Sequence, residues 1–391
     1  MRPKLLFLFS DDRFFWSHRL PIARAALREG YEVIIATAVY RYAQQIQDEG
    51  FRLIPLKMLR KTSSPLTELN AIRQMKAIYR SEQPDILHHV AIKAVLYGSF
   101  AAVGSKQTPV LNALTGLGYL AASRSRKAAL LRFVIWTAFK FFLNRRNQWV
   151  LVENREDKEM CTTKLKVPSD RVLVTRGSGV NVEIFSPSPE PAGVPVILLA
   201  SRMLRIKGIY EFVEAVRLLR QRGTQGRFVL AGDSDLNNPS CVPQHQLRAW
   251  HSSGLVEWWG HQQEMPDVLK QSSLVCLPSH GGEGVPKVLM EAAASGRPIV
   301  TTDVPGCHDI VRDGVNGFLV PPKNVPALAD AIQKLATDPE LRRQMGVRSR
   351  QIVLREFSED EVIKQTLDLY RQVLGPRAPS PDRLTSRAQD I

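Results

Sequence analysis

The chain has 391 residues, long for one hydrophobic core and comfortable for two, and its 44% apolar and 23% charged content is that of a soluble globular protein. Lys and Arg number 53 against 38 Asp and Glu, a formal charge of +15 that calls for anionic partners: phosphorylated ligands, anionic lipid or nucleic acid. Four scattered cysteines (Cys161, Cys241, Cys276, Cys307) without C-x-x-C spacing exclude a disulfide frame or a zinc site and suit reduced thiols in the cytosol.

The N-terminal apolar run, 5–9, ends in Asp11-Asp12 and is too short for the core of a signal peptide; it reads as a first buried strand. A helix over 21–29, stopped by Gly30, leads to a second strand over 32–37. A helix over 66–81 precedes a strand at 85–89, and further strands follow at 109–113, 149–153 and 172–175. This alternation predicts a parallel sheet flanked by helices, with sites at the carboxyl ends of its strands. The proline-rich segment 187–195 carries the chain into a second alternation, with strands at 196–200, 227–231, 255–259, 273–277 and 298–301 and a helix over 210–222. A last helix opens at Ser358, with Glu361 three residues on in a capping-box pattern. The tail after Gly375 is polar and proline-rich and is expected to be disordered.

Residues 86–152 hold no acidic side chain and nine basic ones. Within them the aromatic-rich run 127–146 is broken by Arg132 and Lys140 and falls short of the roughly 20 apolar residues of a membrane span. It reads either as a basic helix lying in an anionic membrane interface or as a helix packed on the first sheet with basic ends in water. No nucleic-acid-binding module accompanies the charge, so nucleic acid is not expected as a partner.

The chemistry concentrates in 278–298, PSHGGEGVPKVLMEAAASGRP. Gly281, Gly282 and Gly284 let a ligand approach the backbone, and Pro286 is expected at the first position of a helix reaching Ala294. The N–H groups of Lys287, Val288 and Leu289 would then point out of the helix N-terminus, a site for a phosphate or diphosphate. Glu283 and Glu291 frame it and would accept from sugar hydroxyls, although a plain loop and helix with solvent-facing acids would show the same spacing. Upstream, SRMLRIKG (201–208) follows a strand, where the fork of Arg202 and the point charge of Lys207 suit a diphosphate. Gly232-Asp233 and Gly260-His261 are further strand-end pairs.

Glu283 and Glu291 with seven residues between, inside EGVPKVLMEAAASGRPIV and continued by TTDVPGCHDIVRDGVNGFLVPP, resemble the E-x7-E signature of the retaining glycosyltransferases of family 4. The 202–208 stretch is similar to the family's R-x4-K-G element. The resemblance spans most of the chain and implies an α/β GT-B fold: two Rossmann-like doubly wound domains facing a central cleft. Domains are expected at 1–186 (acceptor) and 187–357 (nucleotide sugar), with a helix over 358–375 crossing back and a disordered tail over 376–391. It implies a nucleotide-sugar donor, UDP the expected nucleotide, used without metal or other cofactor and with retention of configuration. Arg202 and Lys207 would neutralise the departing diphosphate together with the N–H groups after Pro286, and Gly284, Pro286, Lys287 and Val288 would bind the donor. Glu283 would orient the donor sugar and Glu291 the ribose, while Gly260 and His261 either present backbone to the base or simply form a turn.

FWSHRLP (15–21) resembles the H-x-R-x-P element of bacterial transferases that extend polyprenyl-diphosphate-linked oligosaccharides. On that resemblance His18, Arg19, Thr115 and Gly116 are acceptor candidates, though a loop histidine at 18 that merely caps the next helix fits the sequence nearly as well. The chain departs from the family at Asp11-Asp12, where many members carry Gly-Gly, and at Thr115, where relatives place a histidine before Gly-x-Gly. The implied setting is the cytoplasm, peripheral on the cytoplasmic face of the inner membrane, with a glycan or polyprenyl-diphosphate-linked acceptor. A UDP-sugar 2-epimerase of the same architecture and a non-catalytic basic scaffold are the rival readings.

Overall fold

The computed structural model describes residues 2–58, 64–104, 108–116, 126–235, 238, 240–282 and 284–379. The chain forms two compact units, Met1–Ser178 with Val362–Ile391, and Gly179–Glu361. The expected disordered tail lies, from 380 onward, outside the described residues.

In the first unit seven strands make one parallel sheet: β1 (Lys4–Phe9), β2 (Glu32–Thr37), β3 (Arg52–Pro55), β4 (Ile86–Val90), β5 (Val110–Ala113), β6 (Gln148–Val152) and β7 (Val172–Val174). Their order is β3-β2-β1-β4-β5-β6-β7. Leu5, Leu6, Phe7, Leu8 and Phe9 are all buried, as befits a strand covered on both faces. The strand β3 has no such run: it is short, half-exposed, ends in proline and lies at the edge, so nothing in its sequence announces it. One face of the sheet is covered by the helix Leu20–Arg28 and the closing helix Glu359–Leu374. The other carries the helices Pro65–Glu82, Ile92–Ala101 and Arg126–Leu143. The closing helix begins as expected, with Ser358 Oγ accepting from the Glu361 N–H at 3.3 Å.

Two buried histidines on β4 face opposite sides. His88 Nδ1 lies 2.6 Å from Tyr370 Oη on the closing helix, with its ring against Phe7. His89 Nε2 lies 2.9 Å from Tyr79 Oη and its Nδ1 3.1 Å from Asn112 Oδ1. Burial pushes both imidazoles down, His88 well below 6.5 with Arg19 adding to the effect, and His89 to about 4 against the Asn112 hydrogen bond. Both are therefore neutral in the fold and must take up protons when it opens. Their stability contribution is complete above the unfolded value of 6.5 and is lost as pH falls toward the depressed folded values. The urea midpoint of this unit is expected to drop on going from about pH 7 to about pH 5. His89→Gln should flatten that drop; an identical pH profile in the variant would contradict it.

In the second unit six parallel strands form a sheet: β8 (Val196–Ala200), β9 (Arg227–Ala231), β10 (Glu257–Gly260), β11 (Leu274–Leu277), β12 (Ile299–Thr302) and β13 (Gly317–Val320). Their order, β10-β9-β8-β11-β12-β13, is that of a doubly wound nucleotide-binding sheet, with its switch point between β8 and β11. The strand β10 starts two residues later than the sequence suggests. Leu255 and Val256 instead close the helix Gln244–Ser252, both N–H groups turning to the Trp250 carbonyl. The strand β13 depends on Gly317: a Cβ there would stand 1.9 Å from the Ile299 carbonyl oxygen. The segment around 188–190 packs inside this unit, where Arg297 donates to the Ser188 and Pro189 carbonyls and Arg342 pairs with Glu190.

None of the four cysteines is joined in a disulfide. Among the described residues no helix is long and apolar enough to cross a membrane.

Candidate functional site

The two motif-bearing loops of the second unit leave adjacent strands at the switch point. The strand β8 runs into Ser201-Arg202, then a short 3-10 turn, Arg205–Lys207, and the helix Ile209–Gln221; β11 runs into Pro278-Ser279-His280. Gly208 makes the junction. Its φ of +75° places it in the left-handed region, and an added Cβ would stand 2.0 Å from the Pro278 carbonyl oxygen. The His280 N–H donates to the Ile206 carbonyl at 2.8 Å, and Ser279 Oγ to the same carbonyl at 3.4 Å. From below, Thr301 Oγ1 donates to the Leu277 carbonyl at 2.6 Å, and Thr302 Oγ1 to that of Ser279. The backbone that carries Lys207 and the glycine-rich turn is thus one interlocked piece.

Gly281 and Gly282 take φ of +108° and +79°, conformations that need glycine. Pro286 stands at the N-cap, not at the first helical position: its ψ of 123° is extended, and the helix is Lys287–Ala294. The expected trio of outward N–H groups is also reduced, because the Leu289 N–H turns back to the Pro286 carbonyl at 3.0 Å. Lys287 and Val288 head the helix, with Gly284 just before it. Glu291 is buried, with Lys287 Nζ 3.8 Å from its Oε1. Burial pushes its carboxyl above the ordinary 4.5, against the pull of Lys287. Glu283 lies outside the described residues.

Arg202 is exposed, its Nη1 3.4 Å from Asp235 Oδ2. At that distance and exposure the pair contributes little and can yield to a phosphate. Gly260 closes β10 with φ +65°, and its carbonyl accepts from the Gly232 N–H at 2.7 Å; His261 follows, exposed. The sequence reading missed one pair: His280 Nε2 stands 2.9 Å from Glu211 Oε1, tying the β11 loop to the first turn of the helix after Gly208. Burial pushes Glu211 up, but the adjacent His280, its own helix N–H and Lys323 outweigh it, leaving the carboxyl below its ordinary value.

In the first unit the H-x-R-x-P element is not a loop. Asp11 caps a short helix, Asp12–His18, accepting from the Arg13 N–H at 3.0 Å. His18 ends that helix, stacked on Phe14 with ring centroids 4.4 Å apart and Nδ1 2.6 Å from Ser17 Oγ. Arg19 is buried, with Nη2 3.3 Å from Glu153 Oε1. Asp12 accepts through Oδ2 from the N–H groups of Tyr40, Arg41 and Tyr42 at 2.7–3.0 Å and so fixes the loop after β2. Thr115 and Gly116 follow β5, Gly116 with φ +72°, and 117–125 lie outside the described residues. At the carboxyl end of β4, Ala91 holds φ +74° and ψ 156°, a conformation costly for any residue with a Cβ.

A doubly wound sheet with a basic loop and a glycine-rich helix N-terminus at its switch point is an arrangement suited to a phosphate-bearing ligand. Comparison with known proteins gives the family. A model described as Glycosyl transferases group 1 matches residues 194–338, and one described as Glycosyl transferase 4-like matches 4–152. The chain is 26% identical over 381 residues, 94% of itself and 98% of the relative, to the N,N'-diacetylbacillosaminyl-diphospho-undecaprenol alpha-1,3-N-acetylgalactosaminyltransferase of Campylobacter jejuni. A glycosyltransferase crystal structure from Rickettsia africae shares its fold with TM-score 0.77, at 19% identity over 96% of this chain and 99% of that one. The Anabaena HepE structure in complex with UDP and glucose shares it with TM-score 0.75, at 18% identity over 94% and 99%. The chain belongs to the family 4 glycosyltransferases and has their GT-B fold.

Proposed function

We propose that this glycosyltransferase moves a hexosyl group from a UDP-sugar to a polyprenyl-diphosphate-linked glycan, with retention of configuration, at the cytoplasmic face of the membrane in surface-polysaccharide or glycoprotein-glycan synthesis. The observation that carries it is the junction at Gly208, which brings the Arg202–Lys207 loop and the glycine-rich helix start to one switch point. The undecaprenol-linked substrate in the name of the Campylobacter relative and the UDP bound to the Anabaena neighbour support the acceptor and donor.

In this reading the C1–oxygen bond to the diphosphate breaks as the acceptor hydroxyl attacks from the same face, and its proton passes to the departing phosphate oxygen. Negative charge grows on the diphosphate, where Arg202, Lys207 and the N–H groups of Lys287 and Val288 meet it; no metal is needed. Glu283 orients the donor sugar, Glu291 the ribose, and the backbone at Gly260 and His261 the base. In the first unit His18, Arg19, Thr115 and Gly116 serve the acceptor.

A panel of UDP-sugars, with and without undecaprenyl-diphospho-GlcNAc and with EDTA throughout, tests it. Acceptor-dependent UDP release with an α-linked product from an α-linked donor is expected. Sugar isomerisation without acceptor would overturn it in favour of an epimerase.

The ribose role of Glu291 has its own test. Its raised value means that its contribution to the empty fold is complete below 4.5 and is lost as pH rises through the folded value. Ribose hydroxyls donating to the carboxylate favour the ionised form, so UDP affinity should rise with pH across that range. Glu291→Gln should remove this part of the rise, as read by calorimetry; superimposable pH profiles would exclude the ribose contact.

A further inference from the structure

The helix Arg126–Leu143 is apolar on two faces, and the fold of the first unit uses only one. Phe139 and Leu143 are buried against the sheet. On the opposite side Leu130, Phe133, Val134 and Phe141 share a stripe at helical spacing and face water, Phe133 and Phe141 each 68% exposed. Single exposed apolar residues are ordinary; a contiguous stripe beside the exposed Phe100 marks a binding surface. Phe133, Val134 and Phe141 of the stripe form one wall of a furrow of about 580 Å³ whose other wall is Ile72 with Leu96, Tyr97 and Phe100 of the helix Ile92–Ala101. Phe100 packs edge-on to Phe142 at its lower end, with centroids 5.7 Å apart.

The furrow has a direction. The helix Ile92–Ala101 starts directly after Ala91, at the carboxyl edge of the sheet, and Phe100 lies two turns down it. Lys93 marks the upper end, its Nζ 5.4 Å over the Tyr97 ring and 3.0 Å from Glu68 Oε1. The stretch of sequence 86–152, from which both helices come, has nine cationic and no acidic side chains. The furrow therefore suits an extended hydrocarbon whose anionic head stays at the sheet's carboxyl edge, and its concave aromatic lining fits one chain better than a flat lipid surface.

We propose that this furrow seats the isoprenoid chain of the lipid-linked acceptor; the inference rests on the acceptor class assigned above. The test compares wild type with the double variant Phe133→Gln, Phe141→Gln. Both positions are water-facing and glutamine is a good helix former, so circular dichroism should be unchanged. In detergent micelles, undecaprenyl-diphospho-GlcNAc is set against the same sugar diphosphate on a geranyl chain. Wild type should favour the long chain by about ten-fold or more in kcat/KM, and the double variant should lose that preference while keeping its short-chain rate. An unchanged preference, or equal losses on both carriers, overturns the proposal. So does a variant that fails only to bind phosphatidylglycerol vesicles, which would make the furrow a bilayer contact. If neither carrier accepts sugar, the acceptor reading itself has failed. Binding of undecaprenyl diphosphate alone then decides the furrow: about ten-fold weaker in the variant supports it, and equal binding overturns it.

Discussion

Lys207→Ala should lower kcat by about 10²–10³-fold, and Arg202→Ala by a comparable factor, with little change in the acceptor KM. These residues meet charge that develops only as the diphosphate departs, so their loss falls on the transition state. The structure prepares both. Lys207 sits on a 3-10 turn whose end is pinned by Gly208, and Arg202 is held by an exposed 3.4 Å contact to Asp235 that a phosphate can replace. Arg202→Lys keeps the charge but loses the planar fork and should recover only part of the rate. Turnover within two-fold of wild type in Lys207→Ala would remove the diphosphate clamp from the account.

Gly208→Ala should do more damage than any cationic substitution, because it acts on fold and site together. The new Cβ would meet the Pro278 carbonyl oxygen at 2.0 Å and its carbon at 2.6 Å, and both are backbone. With φ at +75° the loops must separate, at a cost of about 2 kcal/mol or more, and nucleotide binding should fall with them. Gly223 supplies the control: it has the same φ but nothing within 4 Å of an added Cβ. Gly223→Ala should cost only the backbone strain, about 1 kcal/mol, and leave nucleotide affinity intact. Thermal unfolding and UDP calorimetry on the two variants separate the interlock from the strain.

What the sequence disclosed follows from burial. Strands covered on both faces, such as β1 and β8, are unbroken apolar runs and were legible almost to the residue. The edge strand β3 and the glycine-led β13 carry no such run, since one is half-exposed and the other exists through the absence of a side chain. The Arg202, Lys207, Lys287 and Glu291 positions were legible because they lie in two short stretches. The His280–Glu211 pair was not, because only the adjacency of β8 and β11 brings its halves together. The helix Asp12–His18 was missed because its signal is a lone capping aspartate, Asp11. Pro286 was expected at the first helical position, where proline is favoured, but its extended ψ makes it the N-cap.

The central claim is that the switch point of the second sheet holds the donor's diphosphate. It is tested most directly by calorimetric titration of UDP into wild type, Lys207→Ala and His18→Ala. The account predicts binding to wild type, binding weakened by about ten-fold or more in Lys207→Ala, and wild-type affinity in His18→Ala. Undiminished binding in Lys207→Ala, with loss in His18→Ala, would move the nucleotide to the first unit and contradict it.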